Sequence, residues 1–202
     1  ETGVIYRLVR DRSAVRMRNF ECEFKFRDQD RLIDLKTIPG VFSHRRLDTG
    51  ARCLIETMEV VPGDRILDLG CGSGGVGIAA ALRAPETHVT MVDVNPRALA
   101  CAEWGLKKNE VRRFETCLNA YVEVEPSGSY DLVLANPPYY SDQQIAKIMF
   151  EGGFKALRPA GMMLLVTKQP EWYHEQYGNK VAEYQSWSWR SYTIIALRQF
   201  DD

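Results

Sequence analysis

No Cys-x-x-Cys pair, no clustered histidines and no long apolar run occur in this sequence, and each absence closes off a class of function. The five cysteines, Cys22, Cys53, Cys71, Cys101 and Cys117, are odd in number and scattered. They suit free thiols in a reducing compartment better than a disulfide framework, so a cytoplasmic location is expected. His44, His88 and His174 stand far apart and offer no metal-site spacing, so no metal is expected. No stretch reaches the ~18 apolar residues of a membrane span. The charged N-terminal segment holds no apolar h-region of a signal peptide. A formal net charge of −1 gives no bulk signal for a nucleic-acid partner. Arg7, Arg10, Arg12, Arg16 and Arg18 nevertheless crowd one end, and Arg45 and Arg46 follow. Oligomeric state stays open.

What is present is an alternation of short apolar runs and amphipathic segments. Val15 and Met17, then Cys22, Phe24 and Phe26, alternate with charged residues and predict one or two strands within 14–27. A further strand is expected over 31–36, broken by Pro39-Gly40. Ala51, Leu54, Ile55 and Met58 share one helical face, so a helix begins near Asp48 and runs until Pro62-Gly63. Strands are predicted at 65–69, 88–93, 114–118, 131–135, 162–166, 180–185 and 192–197. Helices are predicted over 75–83 and from Asn95, which has N-cap chemistry with Pro96 at N1. Ser141 and Gln144 have the spacing of a capping box, and Pro159-Ala160-Gly161 reads as a turn. This pattern predicts an α/β, Rossmann-like doubly wound fold with a mostly parallel seven-stranded sheet. One domain is expected over 1–202, with 1–43 a small N-terminal β extension and 44–202 the core.

Two segments carry chemistry. Ile66-Leu67-Asp68-Leu69-Gly70-Cys71-Gly72-Ser73-Gly74 ends a strand and opens a helix, and the next strand ends on an acid, Asp93. Small residues let the backbone turn close to a ligand, and a carboxylate at Asp93 accepts from both hydroxyls of a ribose. Dinucleotides usually go with G-x-G-x-x-G; here the spacing is G-x-G-x-G. Asp68 adds a negative charge that repels a pyrophosphate but suits a ligand bearing an ammonium and a sulfonium. S-adenosylmethionine is therefore favoured over NAD. The cofactor-binding set is Asp68, Gly70, Cys71, Gly72, Gly74 and Asp93, with Val94 packed on the adenine and Asn119 reading an adenine edge. Asn95 is placed to contact the ribose or base but reads equally as a helix cap, and Asn119 reads equally as a turn residue.

The second segment is Asn136-Pro137-Pro138-Tyr139, after an apolar strand. A planar amine or amide nitrogen is a poor nucleophile because its lone pair is delocalised. The Asn136 side-chain oxygen and the Pro137 carbonyl each accept one N–H and aim the lone pair at a methyl group. Tyr139 stacks on a planar substrate. Asn136, Pro137 and Tyr139 form the catalytic set, and Asn136 also borders the cofactor. The bland alternative is a rigid turn with Tyr139 in the core.

Together these motifs resemble class I methyltransferases that modify planar nitrogens. Pro39-Gly40-Val41-Phe42-Ser43 and Leu47-Asp48-Thr49-Gly50 narrow the resemblance to the "methyltransferase small" domain of ribosomal small-subunit RNA guanine-N2 methyltransferases and their single-domain archaeal relatives. The resemblance implies methyl transfer to guanine N2 with RNA as partner; Phe42 and Asp48 would lie near the cofactor and the target base, with Phe42 and Pro138 taken as substrate-binding. Arg45, Arg46 and the N-terminal arginines would then meet phosphates. Alternatives are a glutamine-N5 or adenine-N6 methyltransferase and a cofactor-binding module without turnover. The late aromatics Trp172, Tyr173, Tyr177, Trp187, Trp189 and Tyr192 read first as core, then as an interface or stacking surface.

Overall fold

The alternation of Phe24, Phe26, Ile33 and Leu35 with charged residues folds as a hairpin. Strand β1 (Cys22–Asp28) pairs antiparallel with β2 (Arg31–Thr37) through a tight turn that holds Gln29 at φ 49°. This computed structural model describes residues 7, 9, 20–138 and 143–200. Val15 and Met17, expected in a strand, lie outside them. Phe26, Ile33 and Leu35 are buried against the main body.

The main body is a single seven-stranded sheet. Its order is β5 (Phe114–Leu118), β4 (His88–Asp93), β3 (Arg65–Leu69), β6 (Tyr130–Ala135), β7 (Leu157–Thr167), β9 (Tyr192–Arg198) and β8 (Glu183–Trp189). The first five are parallel, and β9 is reversed, pairing antiparallel with both β7 and β8. Both faces of the central strands are covered, so these strands are apolar throughout rather than alternating. Leu132, Leu134, Leu164, Val166, Ile194 and Ala196 join the core on one face. Their neighbours Val133, Ala135, Met163, Leu165, Ile195 and Leu197 join the core on the other. Helices α1 (Thr49–Thr57), α2 (Gly75–Arg83) and α3 (Pro96–Lys108) cover the first face, and α4 (Gln144–Ala156) and α5 (Pro170–Tyr177) the second. No described helix is long and apolar enough to cross a membrane.

Two polar ties fasten the hairpin. Asn109, capping α3, accepts from the Asp34 N–H at 2.9 Å and donates to the Asp34 carbonyl at 2.8 Å. Arg83 makes a bidentate pair with Asp28, at 3.0 and 2.8 Å, and donates to the Met58 carbonyl at 2.6 Å. Both side chains of that pair are nearly buried.

Four sequence expectations change. Helix α1 stops at Thr57, before Pro62-Gly63. The β-branched Val60-Val61 pair and the proline after it favour extended backbone. The expected turn at 159–161 is a bulge inside β7: Tyr130 pairs with Leu157 and Leu132 with Met162, so residues between them loop out. Pro159 has no N–H for the ladder, and Ala160 sits at φ 58°. Strand β8 lies at 183–189 rather than 180–185, because Lys180 still belongs to the turn after α5 and donates to the Tyr177 carbonyl. Helix α4 starts at Gln144 with Gln143 as a cap that makes no side-chain bond; Ser141 lies outside the described residues. Helix α5 itself has only Tyr173 and Tyr177 buried, a pattern too short to read from sequence. Those two rings pack on Phe150, and Trp189 and Tyr192 pack on the opposite core. Trp187 is exposed.

Candidate active site

Parallel strands present their carboxyl ends together, and where the strand order reverses between β3 and β6 a crevice opens. A cavity of about 500 Å³ occupies that place here, within the range of small-molecule sites. Its wall combines the turn after β3, the ends of β4 and β6, the loops at 40–48 and 119–122, and the start of α4.

The turn after β3 is built for close approach. Gly70, Gly72 and Gly74 have φ of 65°, 55° and 84°. Gly74 caps α2 in the left-handed conformation, and a Cβ there would stand 3.0 Å from the Ala102 Cβ. Any side chain is thus opposed by both backbone and neighbour. The Cys71 N–H donates to the Val92 carbonyl at 3.0 Å and ties the turn to β4.

Asp93 closes the same loop from the side. Its Oδ2 accepts from the Gly72 N–H at 2.9 Å and its Oδ1 from the Asn95 N–H at 2.8 Å. Each oxygen keeps a further lone pair. Val94 beside it is 65% exposed on the cavity wall, an apolar surface with no protein cover. Asn95 is spent structurally: its Oδ1 accepts from the Arg97 N–H as the α3 cap, and its Nδ2 donates to the Gly40 carbonyl at 2.8 Å. Asn119 is spent likewise, accepting from the Tyr121 N–H at 2.8 Å and donating to the Glu123 carbonyl at 2.9 Å. It borders the cavity, and its amide, engaged in a turn through one N–H and one lone pair, keeps a second of each.

On the other side of the crevice stand Asn136, Pro137 and Pro138. The Asn136 Nδ2 donates to Asp48 Oδ2 at 2.9 Å. That same oxygen caps α1, accepting from the N–H groups of Gly50 at 2.8 Å and Ala51 at 3.2 Å. Asn136 Oδ1 receives no donor from the described residues. Phe42, 57% exposed, lines the cavity from the loop before α1. Tyr139 lies outside the described residues.

Asp68, Cys71 and Gly74 do not line the cavity; they sit behind its wall. The Asp68 carboxylate is buried and accepts from the Gly77 N–H at 2.8 Å. Burial, reinforced by the charge of Asp93, pushes its pKa up to about 7. Burial likewise drives the Cys71 thiol well above its ordinary range, so it is no thiolate nucleophile. The sequence reading missed Ile145, Ile148 and Met149, which form an apolar wall on α4. Their i, i+3, i+4 spacing was the available signal. Ile145 and Ile148 are 44% and 37% exposed, on the side of α4 that borders the cavity.

Known proteins share this architecture. The "methyltransferase small domain" family matches residues 32–195. Ribosomal RNA large subunit methyltransferase G of Streptomyces avermitilis is 37% identical over 140 residues, 67% of this chain and 37% of that protein. Ribosomal RNA small subunit methyltransferase C of Escherichia coli O7:K1 is 29% identical over 175 residues, 83% of this chain and 50% of the relative. The chain thus spans half or less of the length of these relatives. A T. thermophilus 16S rRNA N2 methyltransferase, solved with AdoMet and guanosine, shares the fold with a TM-score of 0.83 at 21% identity, over 93% of this chain and 53% of that one. With the motif-bearing region matched almost from end to end, the chain belongs to the methyltransferase small domain family and has the fold of its S-adenosylmethionine-dependent methyltransferases.

Proposed function

We propose that the chain transfers the methyl group of S-adenosylmethionine to the exocyclic N2 of a guanine in ribosomal RNA. The observation that carries this is the fixed amide of Asn136: its nitrogen is taken by Asp48, which leaves its oxygen as an acceptor on the wall of the cavity that Asp93 also borders. An amine donates N–H, so an acceptor is what its docking requires. The names of the curated relatives support RNA as the acceptor class, and free cysteines suit a reaction in the cytoplasm.

The cavity fits the cofactor. The remaining lone pairs of Asp93 suit the two ribose hydroxyls, the bare face of Val94 suits an adenine, and the glycine turn admits the methionine end. Asp68 anchors the start of α2 beyond that turn through the Gly77 N–H. S-adenosylmethionine, when bound, supplies an electrophilic methyl on a sulfonium and leaves as S-adenosylhomocysteine. Asn136 Oδ1 and the Pro137 carbonyl each accept a hydrogen bond from one amine N–H and turn the nitrogen lone pair toward the methyl; after transfer the methylated nitrogen loses one proton to solvent. The same two oxygens stabilise positive charge as it develops on that nitrogen. Pro138 and Phe42 flank the base, and Phe42 is exposed enough to stack on it.

Methyl-labelled cofactor offered with undermodified ribosomal RNA, a glutamine-bearing peptide and adenine-rich DNA tests the reading. The expected result is label in guanine N2 after nucleoside digestion, appearing far more slowly with Asn136→Ala. Label in the peptide or in adenine would keep the Asn136 chemistry and reject guanine. Cofactor binding with no transfer to any acceptor would leave a binding module.

A further inference from the structure

Asp48 does more than a helix cap needs. Serine, threonine or asparagine caps a helix as well as aspartate does. This carboxylate also reaches Asn136, 88 positions away in the chain. One oxygen, Oδ2, gathers three N–H donors, from Gly50, Ala51 and Asn136. The consequence for Asn136 is orientation. A side-chain amide has an acceptor end and a donor end of nearly the same shape. A flipped amide would confront an incoming amine with N–H against N–H. With Nδ2 held by an acceptor-only carboxylate, the flip is closed.

Gly50 completes the arrangement. Its backbone is outside the left-handed region, so nothing about its conformation calls for glycine; the space does. A Cβ there would stand 2.6 Å from Asn136 Oδ1 and 3.1 Å from its Cγ. Resting on the first turn of α1, the amide has a floor as well as a clamp.

We propose that Asp48 is a positioning residue for methyl transfer, holding the Asn136 amide with its oxygen toward the acceptor nitrogen while Gly50 leaves room for it. The proposal rests on the methyl-acceptor reading of Asn136. Asp48→Ser keeps the cap but is too short to hold the amide; kcat should fall about 100-fold, with cofactor affinity and Tm nearly unchanged. Asp48→Asn keeps both the cap and an acceptor oxygen and should restore most of the rate. In an Asn136→Ala background, Asp48→Ser should change kcat less than about twofold, because the group it acts through is gone. An additive loss there would overturn the positioning role. Gly50→Ala should slow transfer even though alanine is the better helix former.

A second readout needs neither cofactor nor acceptor. The Asn136 side-chain amide protons, assigned by NMR through their loss in Asn136→Ala, should exchange slowly in wild type and fast in Asp48→Ser. Free exchange in wild type overturns the clamp itself. Protected amide protons in a chain that labels no acceptor overturn instead the methyl-acceptor reading, and the catalytic purpose of the clamp with it.

Discussion

The two sides of the cavity are assembled in opposite ways. On the β4 side most polar groups are satisfied close by, Asp93 by Asn95 and by Gly72 on the adjoining turn and Asn119 by Tyr121 and Glu123, with Asn95 reaching back to Gly40 as the exception. On the β6 side Asn136 depends on Asp48, at the far end of the domain in sequence. The first side is shaped by strand–turn–helix units that carry their own caps. The second exists only once α1 has docked across β7 and β9. Binding and reaction should therefore be separable by mutation.

The largest effect should come from the distant pair. Asn136→Ala removes an acceptor that is needed when charge develops, so kcat should drop about 10²–10³-fold while cofactor affinity, read by calorimetry, moves less than about threefold. Equal losses in both would place Asn136 on the cofactor side and erase the division.

The next is a stability effect inside the local half. Asp68 is raised to about 7 by burial, with Asp93 adding to the shift. Its unfolded value is near 4, so between these values the unfolded chain releases a proton that the folded chain keeps. Stability is then fully present below about pH 4 and lost as pH rises toward 7. Asp68→Asn keeps an acceptor for the Gly77 N–H without the ionisation. Its advantage over wild type in urea unfolding should grow by roughly 2–4 kcal/mol from pH 4 to pH 7, an order of magnitude from the linkage relation. A constant difference across that range would show that Asp68 ionises normally in the fold.

The same contrast governs what was legible beforehand. Strands β3, β4 and β5 and helix α2 fall where periodicity places them, because Gly, Pro and Asn punctuate them locally. Asp93, Val94 and the glycine turn were legible for that reason. The Asp48–Asn136 contact was not: Asp48 looks like a cap and is one, and nothing in its neighbours announces a partner 88 positions on. Ile145, Ile148 and Met149 were missed because an apolar helix face reads as core, and only their exposure distinguishes a ligand wall. The ionic tie of Arg83 to Asp28 was equally hidden, since charge alone says nothing about burial.

A smaller and opposite signature is expected of Asp93→Ala. On the proposed reading, removing the carboxylate takes away the acceptor for the ribose, and cofactor affinity should weaken about 10–100-fold. With saturating cofactor, kcat should stay within about threefold of wild type, since Asn136 is untouched. A kcat loss that saturation does not recover would mean that Asp93 also orients the reacting methyl, joining the two halves.

Asn119 gives the smallest effect and the finest cut. Bordering the cavity beside Val94, it has the chemistry to read an adenine edge. Its oxygen and nitrogen are nevertheless both committed, to Tyr121 and Glu123 within the same turn. Those two bonds hold the loop, and the remaining N–H and lone pair offer an adenine only a weak additional contact. Asn119→Ala should therefore cost about 1 kcal/mol of stability and change cofactor affinity less than about threefold. Asn119→Asp keeps the acceptor for Tyr121 but loses the donor for Glu123, and it should recover part of that stability. If instead affinity falls tenfold or more at unchanged Tm, the turn opens when cofactor binds. The β4 side would then be completed by its ligand, much as the β6 side is completed by Asp48.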